Sequence, residues 1–104
     1  MLPSAEFQIL LALADGHKHG RGIKLDVSSR TDGRIDMGPG TLYGAIKRLR
    51  RRGWIEEVTR TVPDVHDQRL RHYALTRDGR AAAEQEAARL TTLVRIAQAK
   101  RLIG

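Results

Sequence analysis

The chain has 104 residues, of which 40% are hydrophobic and 30% charged, so it can form one domain with its own core. Its formal net charge of +7 favours a polyanionic partner, with nucleic acid ahead of an anionic membrane. The sequence has no cysteine, no apolar run near the roughly 20 residues of a membrane span, and no charged-then-apolar leader. These absences exclude disulfides, thiolate metal sites and membrane-spanning helices, and we expect a cytoplasmic protein.

The first part of the chain predicts two helices joined by a polar connector. Ser4 can cap the first helix, and Glu6 lies in its first turn, where the helix dipole favours an acid. The spacing of apolar residues predicts a buried stripe of Phe7, Leu10, Leu11 and Ala14. The connector spans 17–20 and leads to a weaker second helix over 21–31. The alternation of polar and apolar residues at 34–37 is typical of a short strand.

A third helix is marked at both ends. Gly38 suits the N-cap, Pro39 the first helical position, and Gly53 the left-handed position just after the end. Its apolar stripe is Leu42, Ala45, Ile46 and Leu49. Its outer side carries Gly40, Tyr43, Gly44, Lys47, Arg48 and Arg51. A glycine inside an exposed helical face costs about 1 kcal/mol relative to alanine, so we expect a functional reason, such as close approach of a phosphate or base edge.

Two helices, a connector and a third helix with a basic outer face follow the order of a helix-turn-helix unit, in which the third helix recognises DNA. The alternative for this helix is a core helix with a solvated basic side. After it, 54–59 and 70–75 predict two strands, and the stretch between them is too long for a tight turn. A hairpin in this place is a wing. The sequence therefore predicts a mainly α fold with a small β-hairpin.

The last helix is longer than a small domain needs. Thr76 can cap it, and strong helix formers continue to about Leu102, which is roughly 40 Å at ~1.5 Å per residue. An apolar band along it has no remaining surface within the chain to cover: Leu90, Leu93, Val94, Ile96, Ala97, Leu102 and Ile103. We expect a homodimer, and the residues predicted to meet the second copy are Leu90, Leu93, Val94 and Ala97.

Several segments, which together span about 3–79, resemble the PadR-type transcriptional regulators. They are HGRGI at 19–23, RTDGRI at 30–35, PGTLYGAIKRL at 39–49, GWI at 53–55 and the Tyr73-x-Leu75-Thr76-x-x-Gly79 pattern. The resemblance implies a winged helix-turn-helix domain over 1–76 and a dimerisation helix over 77–104, as in the smaller PadR subgroup. It also implies a dimer that binds operator DNA, usually as a repressor. Family members often carry an aromatic residue where this chain has Arg21.

The N-terminal half of a recognition helix meets base edges in the major groove, and phosphate contacts fix its position. Candidate DNA contacts are Gly40, Thr41, Tyr43, Gly44, Lys47, Arg48 and Arg51 in the third helix, and Arg69 and Arg71 in the wing. The resemblance adds support for Tyr43 and Lys47. Their alternatives are half-buried packing and plain solvation, respectively. For the wing arginines the alternative is a cross-strand pair with Glu56 or Glu57.

The sequence contains no arrangement typical of catalysis, metal binding or cofactor binding. It has no Gly-rich phosphate loop, no thiol and no serine with a plausible base, so we do not expect an enzyme. His17 and His19 have no acidic cluster at ligand spacing nearby, so we predict no metal site and expect His19 to cap or pack the second helix. No aromatic residue follows Thr76, which counts against stacking of a flat ligand, although a small-molecule effector at the dimer interface is an alternative.

The favoured function is a sequence-specific DNA-binding repressor. It would bind a pseudo-palindromic operator in double-stranded DNA as a homodimer, through helix 39–52 in the major groove and the 60–70 wing at the minor groove. Two other functions stay open. One is a winged-helix protein-interaction module whose last helix docks a partner, with only non-specific nucleic-acid affinity. The other is a general nucleic-acid coat protein, with a steep salt dependence and no sequence preference.

Overall fold

The computed structural model describes residues 2–58 and 71–104, which form four helices and a three-stranded sheet. In chain order the elements are α1 (Ser4–Leu13), β1 (Lys18–His19), α2 (Gly20–Arg30), α3 (Pro39–Arg51), β2 (Ile55–Val58), β3 (His72–Leu75) and α4 (Arg77–Ala99). The sheet is antiparallel, with the order β1-β3-β2. The predicted fold class, mainly α with a small hairpin and a long last helix, is confirmed.

The first helix, α1, buries a different face from the one that the sequence predicts. Its buried residues are Glu6, Ile9, Leu10, Ala12 and Leu13. Of the predicted stripe only Leu10 is buried, while Phe7 and Leu11 are half-buried and Ala14 is exposed. The prediction is wrong because apolar residues occur on several sides of α1, so that more than one face satisfies the helical spacing.

Two further local predictions are wrong. Ser4 does not cap α1, because it lies inside the helix and the preceding residue occupies the N-cap position. Residues 34–37 do not form a strand, since the Ile35 N–H donates to Thr31 Oγ1 at 3.1 Å and the segment has no strand partner among the described residues. The polar–apolar alternation there reflects one-sided burial of an extended connection, in which Ile35 and Met37 pack on the core.

The connector before α2 contains a strand that the sequence does not predict. Lys18 lies opposite Tyr73 and His19 opposite His72 in the β1–β3 pair. A strand of two residues is too short to show a periodic pattern, so spacing alone could not have found it. The predicted cap is confirmed, because Nδ1 of His19 accepts a hydrogen bond from the Gly22 N–H at 2.8 Å.

The third helix, α3, has the ends and the stripe that the sequence predicts. Gly38 is the N-cap, Pro39 is the first residue, and Gly53 follows the helix with a φ of 74°. The buried residues of α3 are Leu42, Ala45, Ile46 and Leu49, as predicted. They join the buried side chains of α1 and α2 in one core cluster that also includes Ile55 and Tyr73. This packing leaves the opposite side of α3 on the surface.

The predicted hairpin is confirmed, and among the described residues its strands begin at Ile55 and at His72. Ile55 lies opposite Leu75 and Val58 opposite His72 in the β2–β3 pair. Arg69 and the 60–70 loop of the wing lie outside the described residues. The described part of the wing is therefore its base, where the two strands join the core through Ile55 and Tyr73.

The last helix, α4, starts at the predicted cap, because Oγ1 of Thr76 accepts a hydrogen bond from the Gly79 N–H at 3.0 Å. Gly79 is buried, and its Cα lies directly against the backbone of Trp54. The helix ends at Ala99, a little before the predicted end, since Arg101 adopts a positive φ of 61°. None of the helices within 2–58 and 71–104 is long and apolar enough to cross a membrane.

The close contact between α4 and Trp54 predicts that a side chain at Gly79 would lower the stability of the fold. A Cβ at Gly79 would overlap the Trp54 carbonyl oxygen and lie 2.7 Å from the carbonyl carbon. Backbone atoms cannot move aside as the end of a flexible side chain can. We expect Gly79→Ala to lower the free energy of unfolding by about 3 kcal/mol, measured by urea denaturation.

Gly40→Ala is the matched control, because it also adds a methyl group to the first turn of a helix. A Cβ at Gly40 would meet no described atom within 4 Å. This variant should be as stable as the parent or more stable by up to about 1 kcal/mol. Equal stability of the Gly79→Ala and Gly40→Ala proteins would contradict the close contact at Trp54.

Candidate nucleic-acid interface

The outer side of α3 carries the exposed members of the predicted DNA-contact set. Gly40, Thr41, Lys47 and Arg51 are exposed, and Gly44 is half-buried. Within 2–58 and 71–104, the side chains of Lys47 and Arg51 make no hydrogen bond or ion pair. Their charges are therefore available to an anion from outside the chain.

The two glycines of this surface present bare backbone to the solvent. A Cβ at Gly40 would meet no described atom within 4 Å, and a Cβ at Gly44 would meet Arg48 Nη1 at 3.5 Å, which is an ordinary contact. Packing within the described residues therefore requires glycine at neither position. Each glycine lowers helix propensity by about 1 kcal/mol relative to alanine. Without side chains at these two positions, a ligand could approach the helix backbone closely, which is a functional reason for glycine there.

Tyr43 does not lie on the outer side as predicted. It is half-buried and packs towards α2, where a Cβ at Gly20 would lie 2.6 Å from its hydroxyl oxygen. That oxygen is buried, so the structure agrees with the alternative of half-buried packing. Gly20 leaves the space that the Tyr43 ring occupies. Contact of Tyr43 with DNA stays a prediction, and its hydroxyl would have to leave this position to reach a phosphate.

A buried carboxylate joins α1 to α3. The Glu6 side chain is 2% exposed; Oε1 accepts a hydrogen bond from Arg48 Nε at 2.9 Å, and Oε2 accepts one from Arg52 Nη1 at 3.2 Å. The Arg52 guanidinium also lies over the Trp54 ring, 4.9 Å from its centroid. The predicted DNA contact of Arg48 stays a prediction, and its side chain already has one partner within the chain.

Sequence reasoning misses the role of Glu6 because it assigns this acid to the helix dipole. The spacing does contain a signal. Glu6, Ile9, Leu10 and Leu13 follow the i, i+3, i+4, i+7 pattern and are all buried. An acid at a core position of an amphipathic pattern predicts a buried partner of opposite charge, and the arginines of α3 are candidates for it.

At the base of the wing, Glu57 lies between two arginines. Its Oε1 is 3.7 Å from Arg71 Nε, and its Oε2 is 3.6 Å from Arg50 Nη2. Arg71 is therefore paired with Glu57, as in the alternative to DNA contact. Contact of Arg71 with DNA stays a prediction. Tyr73 is the neighbour of Glu57 across the strands. Burial, and then the Glu57 carboxylate, raise the pKa of Tyr73 above its ordinary value, so its hydroxyl stays neutral.

The surface of α2 beside the start of α3 adds residues that the sequence does not single out as DNA contacts. Arg21 is exposed, Leu25 is 56% exposed, and Lys24 Nζ lies 3.6 Å from Asp36 Oδ1. Together with Pro39, Leu42 and Tyr43 they line a groove between α2 and the first half of α3. Arg21, Lys24 and Leu25 follow the i, i+3, i+4 spacing of one helical face, which is the signal that could have identified them.

Three histidines meet where β1 pairs with β3. Nδ1 of His17 and Nδ1 of His72 are 3.1 Å apart, and the His19 ring meets the His72 ring edge-on at 5.7 Å between centroids. Among the described residues, no group of three or more His, Asp or Glu side chains is arranged to hold a metal ion. The contact between the rings and the capping bond of His19 give these histidines structural roles.

The second half of α4 places the predicted dimerisation residues on the surface. Leu93 is 50% exposed and Val94 45%, while Leu90 and Ala97 are half-buried. The apolar strip continues to Ile96, Leu102 and Ile103, which are all exposed. The first half of α4 instead packs on the domain, and its Glu86 accepts hydrogen bonds from Arg89 Nε and Nη2 at 2.8 and 2.7 Å. These bonds hold the pKa of Glu86 below its ordinary value.

Two solved structures share this fold. One is a transcriptional regulator from Clostridium thermocellum, with a TM-score of 0.73 and 22% identity over 89% of this chain and 88% of that chain. The other is a PadR family transcription regulator from hypervirulent Clostridium difficile R20291, with a TM-score of 0.75 and 19% identity over 92% and 96% of the two chains. A relative at 37% identity over 84 residues is an uncharacterized 37.1 kDa protein in transposon TN4556 of Streptomyces fradiae. The match covers 80% of this chain but spans only 22% of that relative's length.

The model of the transcriptional regulator PadR-like family matches residues 9–85, a range that begins within α1, includes the elements from β1 to β3 and ends in the first half of α4. PadR regulators bind DNA, are generally dimeric, and are transcription regulators rather than enzymes. All nine predicted DNA-contact residues lie within the matched range, and seven of them belong to α3. This chain belongs to the PadR-like family of transcriptional regulators.

Proposed function

We propose that the chain is a repressor that binds a pseudo-palindromic operator as a homodimer and blocks the access of RNA polymerase. The observation that carries this proposal is the outer side of α3. It combines two glycines that packing does not require with two cations, Lys47 and Arg51, that have no partner among the described residues. This combination suits a helix that lies in the major groove, where bare backbone can approach base edges and cations can meet phosphates.

The two halves of α3 have different parts in this proposal. Gly40, Thr41 and Gly44 lie in its N-terminal half, the half that usually reads base edges, and the Thr41 methyl and hydroxyl groups can contact a thymine methyl or a polar base edge. Lys47 and Arg51 lie one and two turns later and neutralise phosphates. The first group therefore contributes specificity and the second contributes affinity.

Neighbouring elements extend the contact with the duplex. Arg21 and Lys24 lie at the start of α2, the helix that crosses the backbone in a helix-turn-helix, and they would meet phosphates there. The wing would place Arg69 and Arg71 at the minor groove. For Arg71, this requires that it leave or share its 3.7 Å pair with Glu57.

The homodimer would bury the apolar strip of α4 against its symmetry mate. Leu93, Val94 and Ile96 are each about half exposed, at 50%, 45% and 46%, and a second copy of the same strip is complementary to them. A two-fold axis through α4 would place the recognition helices about 34 Å apart, which matches half-sites ~10 bp from centre to centre. The competing use of this strip is docking of a different protein.

Selection of bound duplexes from a random pool, followed by titration at several salt concentrations, tests the proposed function. At physiological salt the parent protein should bind its selected duplex at least about 10³-fold more tightly than random duplexes. Equal affinity for both would contradict an operator-specific repressor and favour a nucleic-acid coat protein. No binding to either would favour a protein-interaction module.

Lys47→Ala should weaken binding to every duplex to a similar degree and lower the slope of log K against log salt by about 1, because one phosphate contact is lost. Lys100→Ala is the matched control, since it removes the same charge from an exposed position beyond the end of α4. A Lys47→Ala protein that matches this control would remove Lys47 from the interface.

Gly44→Ala separates function from stability at the same surface. The added methyl group should not destabilise the fold, because its nearest contact would be Arg48 Nη1 at 3.5 Å. It should still weaken binding to the selected duplex by ten-fold or more, on the order of the cost of one mismatched base pair. If Gly44→Ala binds the selected duplex as tightly as the parent does, DNA does not approach the backbone at Gly44.

Light scattering tests the homodimer. The parent should have twice the 11.6 kDa mass of one chain, and Leu93→Glu should shift it towards the monomer, because the substitution buries an unpaired charge in the proposed interface. Leu25→Glu is the matched control, since Leu25 is exposed to a similar degree, 56% against 50% for Leu93, but lies on α2. A parent that is monomeric at micromolar concentration would contradict the dimer.

A further inference from the structure

The ion pairs of Glu6 connect the core helix to the DNA-facing helix. Its carboxylate is 2% exposed, and each of its oxygens accepts from a different arginine: Arg48 of α3 at 2.9 Å, and Arg52, the C-cap residue of α3, at 3.2 Å. A carboxylate buried to this extent is costly unless it is fully paired. The position of Glu6 on the buried face of α1 therefore fixes where these two guanidinium groups can lie.

Arg48 and Arg52 are four residues apart and so share one side of the end of α3. Arg52 is held a second time, because its guanidinium lies over the Trp54 ring at 4.9 Å from the centroid. Arg52 is thus part of the junction between α1, α3 and the wing. Among the described residues, Arg48 bonds to Glu6 but does not lie over an aromatic ring as Arg52 does.

Glu6 holds Arg48 without hiding it. The bond to Glu6 uses Nε, the Arg48 side chain is 53% exposed, and Nη1 lies beside Gly44, 3.5 Å from where a Cβ would be. The outer end of the guanidinium is therefore directed along the surface proposed to face DNA. An arginine ordered in advance loses less conformational freedom on binding than one that is free in solvent.

We propose that Glu6 is a positioning residue for DNA recognition, whose buried carboxylate orients Arg48 so that its terminal N–H groups bind a backbone phosphate next to Gly44. The inference rests on the proposed function, because it requires that the outer side of α3 meets DNA. Guanidinium N–H donors suit phosphate oxygens, and the bare backbone at Gly44 leaves room for a phosphate to approach.

The opposite role for Glu6 is sequestration, in which the carboxylate neutralises Arg48 and keeps it from DNA. The two roles predict opposite effects for Glu6→Gln, which keeps the shape of the side chain and removes its charge. The substitution raises the net charge of the protein by one, so general electrostatics and sequestration both predict tighter binding to DNA. Only positioning predicts weaker binding.

The test measures binding of the parent and Glu6→Gln proteins to the selected duplex over a range of salt concentrations. We expect Glu6→Gln to bind about ten-fold more weakly at physiological salt and to have a slope of log K against log salt that is lower by about 1. Glu84→Gln is the matched control, because it makes the same charge change at an exposed position of α4 and should not weaken binding. Unchanged or tighter binding by Glu6→Gln would overturn the positioning role.

A double-mutant cycle shows whether Glu6 acts through Arg48. In an Arg48→Ala background, Glu6→Gln should cause no further loss of affinity, because the residue that it positions is absent. Additive losses would overturn the inference, since a general loosening of α1 against α3 would weaken binding in both backgrounds.

If Glu6→Gln unfolds at the assay temperature, Arg48→Lys replaces it in the test. The single lysine nitrogen can pair with Glu6 or with a phosphate but cannot hold both positions at once, so the same loss of salt slope is expected. An unchanged slope would overturn the inference. A parent protein that does not prefer its selected duplex would overturn the proposed function itself, whereas a selective parent that Glu6→Gln matches would overturn only the role of Glu6.

Discussion

The burial of one apolar side of α3 against α1 and α2 decides which residues this helix can offer to a ligand. Leu42, Ile46 and Leu49 are at most 3% exposed, and removal of each from water contributes on the order of 2 kcal/mol. Rotation of the helix about its axis would expose them, so the opposite side must face outward. The surface with Gly40 and Gly44 is therefore a consequence of core packing, and its cations have a fixed place in the fold.

The ends and stripe of α3 could be predicted because glycine and proline mark its boundaries and its apolar residues lie on one side only. Spacing alone does not select the buried face of α1, because two faces satisfy the helical pattern and the one that is buried includes an acid, Glu6. The short strand β1 depends on pairing with β3, and the inward packing of Tyr43 depends on the absence of a side chain at Gly20. These are contacts between distant segments, which local periodicity does not encode.

The last helix has two halves with different surroundings. Its first half is fixed to the domain by the contact of Gly79 with Trp54 and by the Thr76 N–H, which donates to the Trp54 carbonyl oxygen at 3.0 Å. Its second half leaves apolar side chains such as Leu93 on the surface, as expected in a family whose members are generally dimeric. Since the start of α4 packs on Trp54, directly before the strand that follows α3, a dimer formed through α4 would also set the distance between two recognition helices.

Methylation interference on the selected duplex tests most directly whether the outer side of α3 enters the major groove. Dimethyl sulfate methylates guanine at N7 in the major groove and adenine at N3 in the minor groove. If α3 lies in the major groove, N7 methylation inhibits binding in two clusters about one helical turn apart, at the base pairs that face α3. Inhibition only by N3 methylation, or by neither modification within the half-sites, would contradict it.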